Sequence, residues 1–178
     1  MMKSTGLAGL LLAFVVTVAP AAEVKVKGVH LCCGACVSAV GKTLKTVKGV
    51  SGATCDRNSK IVTFQAADGK AATAGILALA KAGFHGKATH GKAAIAFPKS
   101  GAKKGVKANT VTLNGVHLCC GACVTGARKT FAKLAGVDTI DIDRGAKTVT
   151  LKGKGISVTA AVAALNKGGF HGTLKAKK

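Results

Sequence analysis

The chain has no tryptophan, no tyrosine and only six phenylalanines among its 178 residues. Any core must therefore be assembled from Val, Ala, Leu and Ile, and the aromatic platforms that stack nucleic-acid bases are missing. Acidic residues are nearly as scarce: six Asp and Glu stand against 27 Lys and Arg, a formal charge of +21. There are no paired carboxylates for acid–base work, no Ser–His–Asp set and no phosphate-cradling glycine loop, so a hydrolase or a kinase has no support. Beyond the first 20 residues or so no apolar run could span a bilayer, which takes about 20 residues.

What is present begins with a leader-like segment. Lys3 supplies a short positive region, Leu7 to Val18 a nearly unbroken apolar run, and Ala19-Pro20-Ala21 a small-residue cleavage site. Residues 1–21 thus read as a signal peptide for export to the periplasm or the medium, with an uncleaved anchor as the alternative. Without Lys3, 26 basic residues face six acidic ones. That surplus suits contact with anionic surfaces such as lipid head groups or cell-wall polymers. The basic residues are spread along the chain rather than clustered, which argues against nucleic acid as a partner.

The cysteines are distributed unusually. Six of the seven fall in two copies of one ten-residue string, GVHLCCGACV, at Gly28–Val37 and Gly115–Val124. Each copy brings one imidazole and three thiols together: His30, Cys32, Cys33 and Cys36, then His117, Cys119, Cys120 and Cys123. Clustered thiols at such short spacing look like a metal or redox site rather than a disulfide framework. The strings lie 87 residues apart, and a second landmark, Gly-Phe-His-Gly at Gly83–Gly86, recurs 86 residues later at Gly169–Gly172. The chain is therefore a duplicated module.

Each copy shows the same local pattern. Alternating residues before the thiol loop (Glu23–Val29, Thr110–Val116) read as a strand. Val37, Val40, Leu44 and Val47, matched by Val124, Ala127, Phe131 and Leu134, mark one face of a helix after the loop. Two short strands follow (Val50–Cys55 and Lys60–Gln65; Val137–Asp143 and Lys147–Leu151). Tight turns at Asp56–Ser59 and Arg144-Gly145 join them. An alanine-rich helix comes next (Ala71–Ala82, Val158–Lys167), then a last strand after Gly86 and after Gly172. The expected fold class is α+β: two tandem ferredoxin-like βαββαβ domains, each a four-stranded antiparallel sheet with two helices on one face. The boundaries expected are 22–90 and 109–178, with 91–108 a basic, flexible linker whose apolar patch Ala93–Phe97 could instead extend the last strand. Modules of about 65 to 70 residues lie near the lower limit for unaided folding, so bound metal would assist them.

The run TVTLNGVHLCCGACV at Thr110–Val124, with its counterpart in the first module, resembles the first strand and metal loop of heavy-metal-associated (HMA) domains. That family includes copper chaperones, modules of metal-transporting ATPases and a periplasmic mercury-binding protein. Its loop reads G-M-x-C-x-x-C. The resemblance implies that Cys33 with Cys36, and Cys120 with Cys123, are the primary metal ligands, and that Phe84 and Phe170 stand near the loops. Leu31 and Leu118 replace the family's Met. His30 and His117 replace its glycine, and Cys32 and Cys119 are additional thiols. These four residues are the further ligand candidates, and they make three-thiolate or histidine-containing coordination possible.

Physical chemistry points the same way. A thiol at the start of a helix is favoured as thiolate by the unpaired N–H groups and the dipole there. Soft thiolates select Cu(I), Zn(II) or Hg(II), and an added imidazole favours Zn(II). The reading is a non-enzymatic, exported metal-binding protein for transport, chaperoning or sequestration. Each loop would hold one ion, or the two would share one, and a metal-transporting membrane protein is a candidate partner. Two alternatives stand beside it. A thiol–disulfide oxidoreductase would use Cys-Gly-Ala-Cys, although modules this short lack the length and the parallel βαβ start of a thioredoxin-like fold. A basic surface-binding protein would use the thiols only as staples. Cys55 has no counterpart in the second copy and reads as a strand residue; His85 and His171 read as strand-end or surface histidines.

Overall fold

The computed structural model describes residues 21–174. The leader-like segment lies outside them, apart from Ala21. Among the described residues no helix is long and apolar enough to cross a membrane.

The first module runs β1 (Ala22–Lys27), α1 (Gly34–Lys45), β2 (Val50–Asp56), β3 (Ile61–Ala66), α2 (Gly69–Lys81) and β4 (Lys87–His90). The second repeats the order with β6 (Lys107–Asn114), α3 (Gly121–Phe131), β7 (Val137–Asp143), β8 (Thr148–Ser157), α4 (Val158–Lys167) and β9 (Thr173–Leu174). The sheets are antiparallel, with strand orders β2-β3-β1-β4 and β7-β8-β6-β9. This is the ferredoxin-like arrangement that the alternation of patterns predicts.

The first sheet has a strand more than the four expected. Ala93–Ile95 forms β5, a hairpin partner of β4 in which His90 faces Ala93 and Ala88 faces Ile95. The segment after it is tied down as well. Ser100 is buried, its carbonyl accepts the Leu174 N–H at 2.9 Å, and Phe97 packs against His85. Ile95 and Phe97, both half-buried, pack against the core, while Ala93, Ala94, Ala96 and the flanking Lys92 and Lys99 remain exposed.

Each core forms where the period-2 stripe of the strands meets the helical stripe. Val24, Val26, Val62 and Phe64 point at Val40, Leu44, Ile76 and Leu79; all are fully buried. In the second module Val111, Leu113, Val149 and Leu151 meet Ala127, Phe131 and Leu165. Phe131 takes the place that Leu44 fills in the first copy, so the same backbone is packed with different volumes. The later helices are capped by side chains: Asp68 accepts the Ala71 N–H at 2.7 Å, and Ser157 accepts the Ala160 N–H at 3.3 Å. These bonds satisfy donors that the first helical turn leaves open. The helices after the thiol loops have no such cap, because Cys33 and Cys120 hold the N-cap positions with their side chains free.

The two modules lie face to face about an approximate two-fold axis. Phe84 and Phe170 form an antiparallel bridge. His171 N–H donates to Gly83 O at 2.8 Å; His85 and His30 N–H both donate to Gly169 O, at 3.0 and 3.2 Å. Gly83 and Gly169 have φ of +86° and +83°. A Cβ on Gly83 would stand 2.2 Å from the His117 nitrogen, and one on Gly169 would stand 2.4 Å from that of His30. Only glycine permits both the left-handed backbone and so close an approach.

Candidate thiol centre

The loop that carries each thiol cluster leaves the first strand of its module and enters the helix. Val29 and Val116 are fully buried below it, and Leu31 and Leu118 are 5% exposed, so the loop is pinned on both sides of its histidine. Cys36 and Cys123 lie in the first helical turn, fully buried, and their N–H groups reach Cys33 O and Cys120 O at 3.1 Å. A second anchor comes from the neighbouring hairpin. Arg57, in the turn between β2 and β3, donates from Nη2 to Cys32 O at 2.9 Å; Arg144 does the same for Cys119 O at 2.9 Å. Neither arginine was among the sequence-based site candidates. Their separation of 87 residues, the same as that of the thiol strings, is the signal that marks them.

Stacking the modules brings the two loops together. All seven cysteines are free, and six of them form one cluster. Across the module boundary Cys32 Sγ lies 3.4 Å from Cys123 Sγ and 3.6 Å from Cys120 Sγ. Cys119 Sγ lies 3.5 Å from Cys36 Sγ and 3.6 Å from Cys33 Sγ. Cys36 and Cys123 face one another at 3.8 Å, and Cys33 and Cys120 at 3.9 Å. The additional thiols of each loop therefore make the shortest sulfur contacts with the other module. Cys55, on β2 opposite Val62, stays outside the cluster; Ile142 holds its position in the second copy, opposite Val149.

The histidines of the loops also cross over. His30 stacks on Phe170 at 4.1 Å between ring centres, and His117 on Phe84 at 4.2 Å. The phenylalanines thus serve the loop of the opposite module. His30 further rests on helix α3, where a Cβ at Gly126 would stand 2.7 Å from its ring. A ring nitrogen of His117, with the sulfurs of Cys36, Cys119 and Cys123, forms a group whose atoms all lie within 4.8 Å of one another; His30, Cys32 and Cys123 form another. Nε2 of both histidines is buried without a hydrogen-bond partner. A buried nitrogen left this way carries a desolvation cost that a ligated ion would remove.

The thiols do not share one acidity. Cys36 is held far below the ordinary thiol range, chiefly by the hydrogen bond from Cys123, with burial opposing. Cys123 is pushed up by that same pairing and by burial. Their contact thus shifts the two buried thiols in opposite directions. Burial raises Cys32, and raises Cys119 to about 12. Cys120 is lowered to about 6, first by its backbone bond with Cys123. Burial, the largest influence on His30, lowers its pKa and keeps the imidazole in the neutral form that can donate a lone pair.

The second histidine pair departs from expectation. His171 is only 3% exposed, and its ring lies 5.7 Å from that of His85, nearly parallel. Phe97 lies against both rings, so the pair belongs to the module interface and not to the surface. It takes no part in the thiol cluster.

Two ferredoxin-like modules, each with a Cys-x-x-Cys loop opening its first helix, resemble HMA domains in fold and in loop position. Solved structures similar to this chain include the N-terminal soluble domains of Bacillus subtilis CopA, at 21% identity over 88% of this chain and 95% of that one, with a TM-score of 0.34. The apo HMA domain of the copper chaperone for superoxide dismutase matches at 19% identity over 46% of this chain and 83% of its own, with a TM-score of 0.35. The PacS N-terminal domain from Synechocystis PCC6803 matches at 20% identity over 39% and 100%, with a TM-score of 0.34. No family model and no curated protein matches the sequence.

Proposed function

We propose that this protein is a non-enzymatic carrier or store of soft metal ions, Cu(I), Zn(II) or Hg(II), which it binds in a single thiolate centre shared by its two modules. The observation that carries this reading is the convergence of six thiols from two loops 87 residues apart, with two unpartnered imidazole nitrogens beside them. Soft sulfur ligands in a preformed site discriminate against hard cations. Ligation also adds free energy to the folded state of two small domains and to their docking. Cys33, Cys36, Cys120 and Cys123 are assigned as the primary ligands, with Cys32, Cys119, His30 and His117 completing the shell. The leader-like N-terminus fits export, the excess of lysine fits residence near anionic surfaces, and a metal-transporting membrane protein fits as the recipient.

The test is purification under reducing conditions, reconstitution with Cu(I), Zn(II) and Hg(II) in competition, and X-ray absorption to count sulfur and nitrogen neighbours. The reading expects tight retention with a sulfur-dominated shell. A protein that retains none of the three ions refutes it. An insulin-reduction assay separates the oxidoreductase alternative, for which turnover is required.

A further inference from the structure

The resemblance to HMA domains implies one ion per Cys-x-x-Cys loop, but the sulfur positions point to a different stoichiometry. With a metal–sulfur bond of about 2.3 Å, two sulfurs sit about 4.6 Å apart in linear coordination, about 4.0 Å in trigonal and about 3.8 Å in tetrahedral. The ten close sulfur pairs of this cluster span 3.4 to 3.9 Å. The two Cys-x-x-Cys pairs that a linear ion would use, Cys33 with Cys36 and Cys120 with Cys123, are both 3.8 Å apart, the spacing of three- or four-fold coordination.

The pattern of close pairs is more specific. Three sulfurs that are all mutually close make a triangular face able to seat one trigonal ion. The cluster has four such faces: Cys32, Cys36 and Cys123; Cys32, Cys120 and Cys123; Cys33, Cys36 and Cys119; and Cys36, Cys119 and Cys123. Every face takes sulfurs from both modules, and every face includes Cys32 or Cys119. The edges of these faces run from 3.4 to 3.8 Å, so seating an ion requires an expansion of only a few tenths of an ångström. Cys36 and Cys123 each belong to three faces, and they are the two thiols that are fully buried.

Building on the metal-binding reading above, we infer that the centre takes a polynuclear cluster of a monovalent soft ion, four Cu(I) held by six thiolates, in which Cys32 and Cys119 each bridge two faces and between them supply a ligand to every ion. Charge supports the assignment. Four monovalent cations against six thiolates leave a net charge of minus two, beside the Arg57 and Arg144 guanidiniums that hold the loop carbonyls. Loading is ligand exchange without electron transfer: each S–H proton passes to solvent as its sulfur bonds to Cu(I).

Anaerobic titration of the reduced protein with Cu(I), followed by native mass spectrometry and copper X-ray absorption, tests this. The expected result is a species with four ions per chain, filled cooperatively, with a short copper–copper shell. The double variant Cys32→Ser/Cys119→Ser removes a vertex from every face. It should hold two ions or fewer and lose the copper–copper shell, while its far-ultraviolet dichroism is unchanged. Cys55→Ser should still load four. A wild-type protein that saturates at two ions with no copper–copper shell overturns the cluster and leaves metal binding intact. A double variant that still loads four overturns the bridging role, and a protein that binds no copper at all fails the broader reading.

Discussion

The thiol centre exists only while the two modules stay docked, and two glycines control that docking. In Gly83→Ala/Gly169→Ala each new methyl group would meet backbone of the opposite module, 2.2 Å from the His117 nitrogen and 2.4 Å from that of His30. Neither contact can be relieved by turning a side chain aside. Forcing alanine into the left-handed region costs about 1–2 kcal/mol at each site. Separation also breaks the His171 N–H to Gly83 O bond, worth about 0.5–1.5 kcal/mol. The aromatic stacks of His30 on Phe170 and His117 on Phe84 are lost with it, at about 0.5–1.5 kcal/mol each. These docking terms oppose separation and amount to a few kcal/mol, less than the repulsion of a methyl group forced against backbone atoms at such distances. The clash falls on the interface, because the three atoms nearest each methyl group all belong to the opposite module. The expected outcome is two folded modules that no longer dock. Small-angle scattering should show a larger radius of gyration, and mild oxidation should no longer trap Cys32 to Cys123, which are 3.4 Å apart in the docked form. A variant that remains as compact as wild type and still forms that crosslink refutes the reasoning.

Burial, with His171 adding to it, holds His85 down at about 4. The folded protein therefore keeps this imidazole neutral where the unfolded chain protonates it, at about 6.5. Its contribution to stability is complete above about pH 6.5 and is lost as the pH falls through about 4. Burial lowers His171 as well, which acts in the same direction. Urea midpoints of the metal-free, reduced protein should fall between neutral and acid pH, and His85→Gln should flatten the decline; a rising midpoint contradicts this. Asp68→Ala removes the cap on the Ala71 N–H and should cost about 1 kcal/mol, read as a shift of the urea midpoint with an unchanged slope. Phe170→Ala empties a fully packed site beneath His30 and should cost about 3–5 kcal/mol in thermal unfolding; a loss below about 1 kcal/mol would show that the stack carries no packing energy.

Much of the fold was legible because it rests on local periodicity. Val158–Lys167 and Val137–Asp143 have the bounds that their patterns predict. Other ends shift by a residue or more. β8 runs on to Ser157, where it pairs with Lys107 of a correspondingly long β6. That extension depends on a partner strand whose paired residues, Lys107 with Ser157 and Ala108 with Ile156, are far apart in the chain, which no local pattern encodes. β5 was open to two readings because its apolar residues stand among lysines, and only the edge of β4 decides between them. The histidines at 85 and 171 look like surface residues for the same reason: the wall that buries each belongs to the other module and to Phe97.

The sequence by itself determined that there are two copies of one βαββαβ module. It also determined that each presents three thiols and an imidazole where a strand turns into a helix, because repeat, spacing and period are properties of neighbouring residues. It could not determine that the loops meet. That follows from two positive-φ glycines, a Phe–Phe bridge and three backbone hydrogen bonds between modules, none of which has a motif of its own. Only their geometry turns Cys32 and Cys119 from surplus thiols into the sulfurs that join two separate loops into one centre.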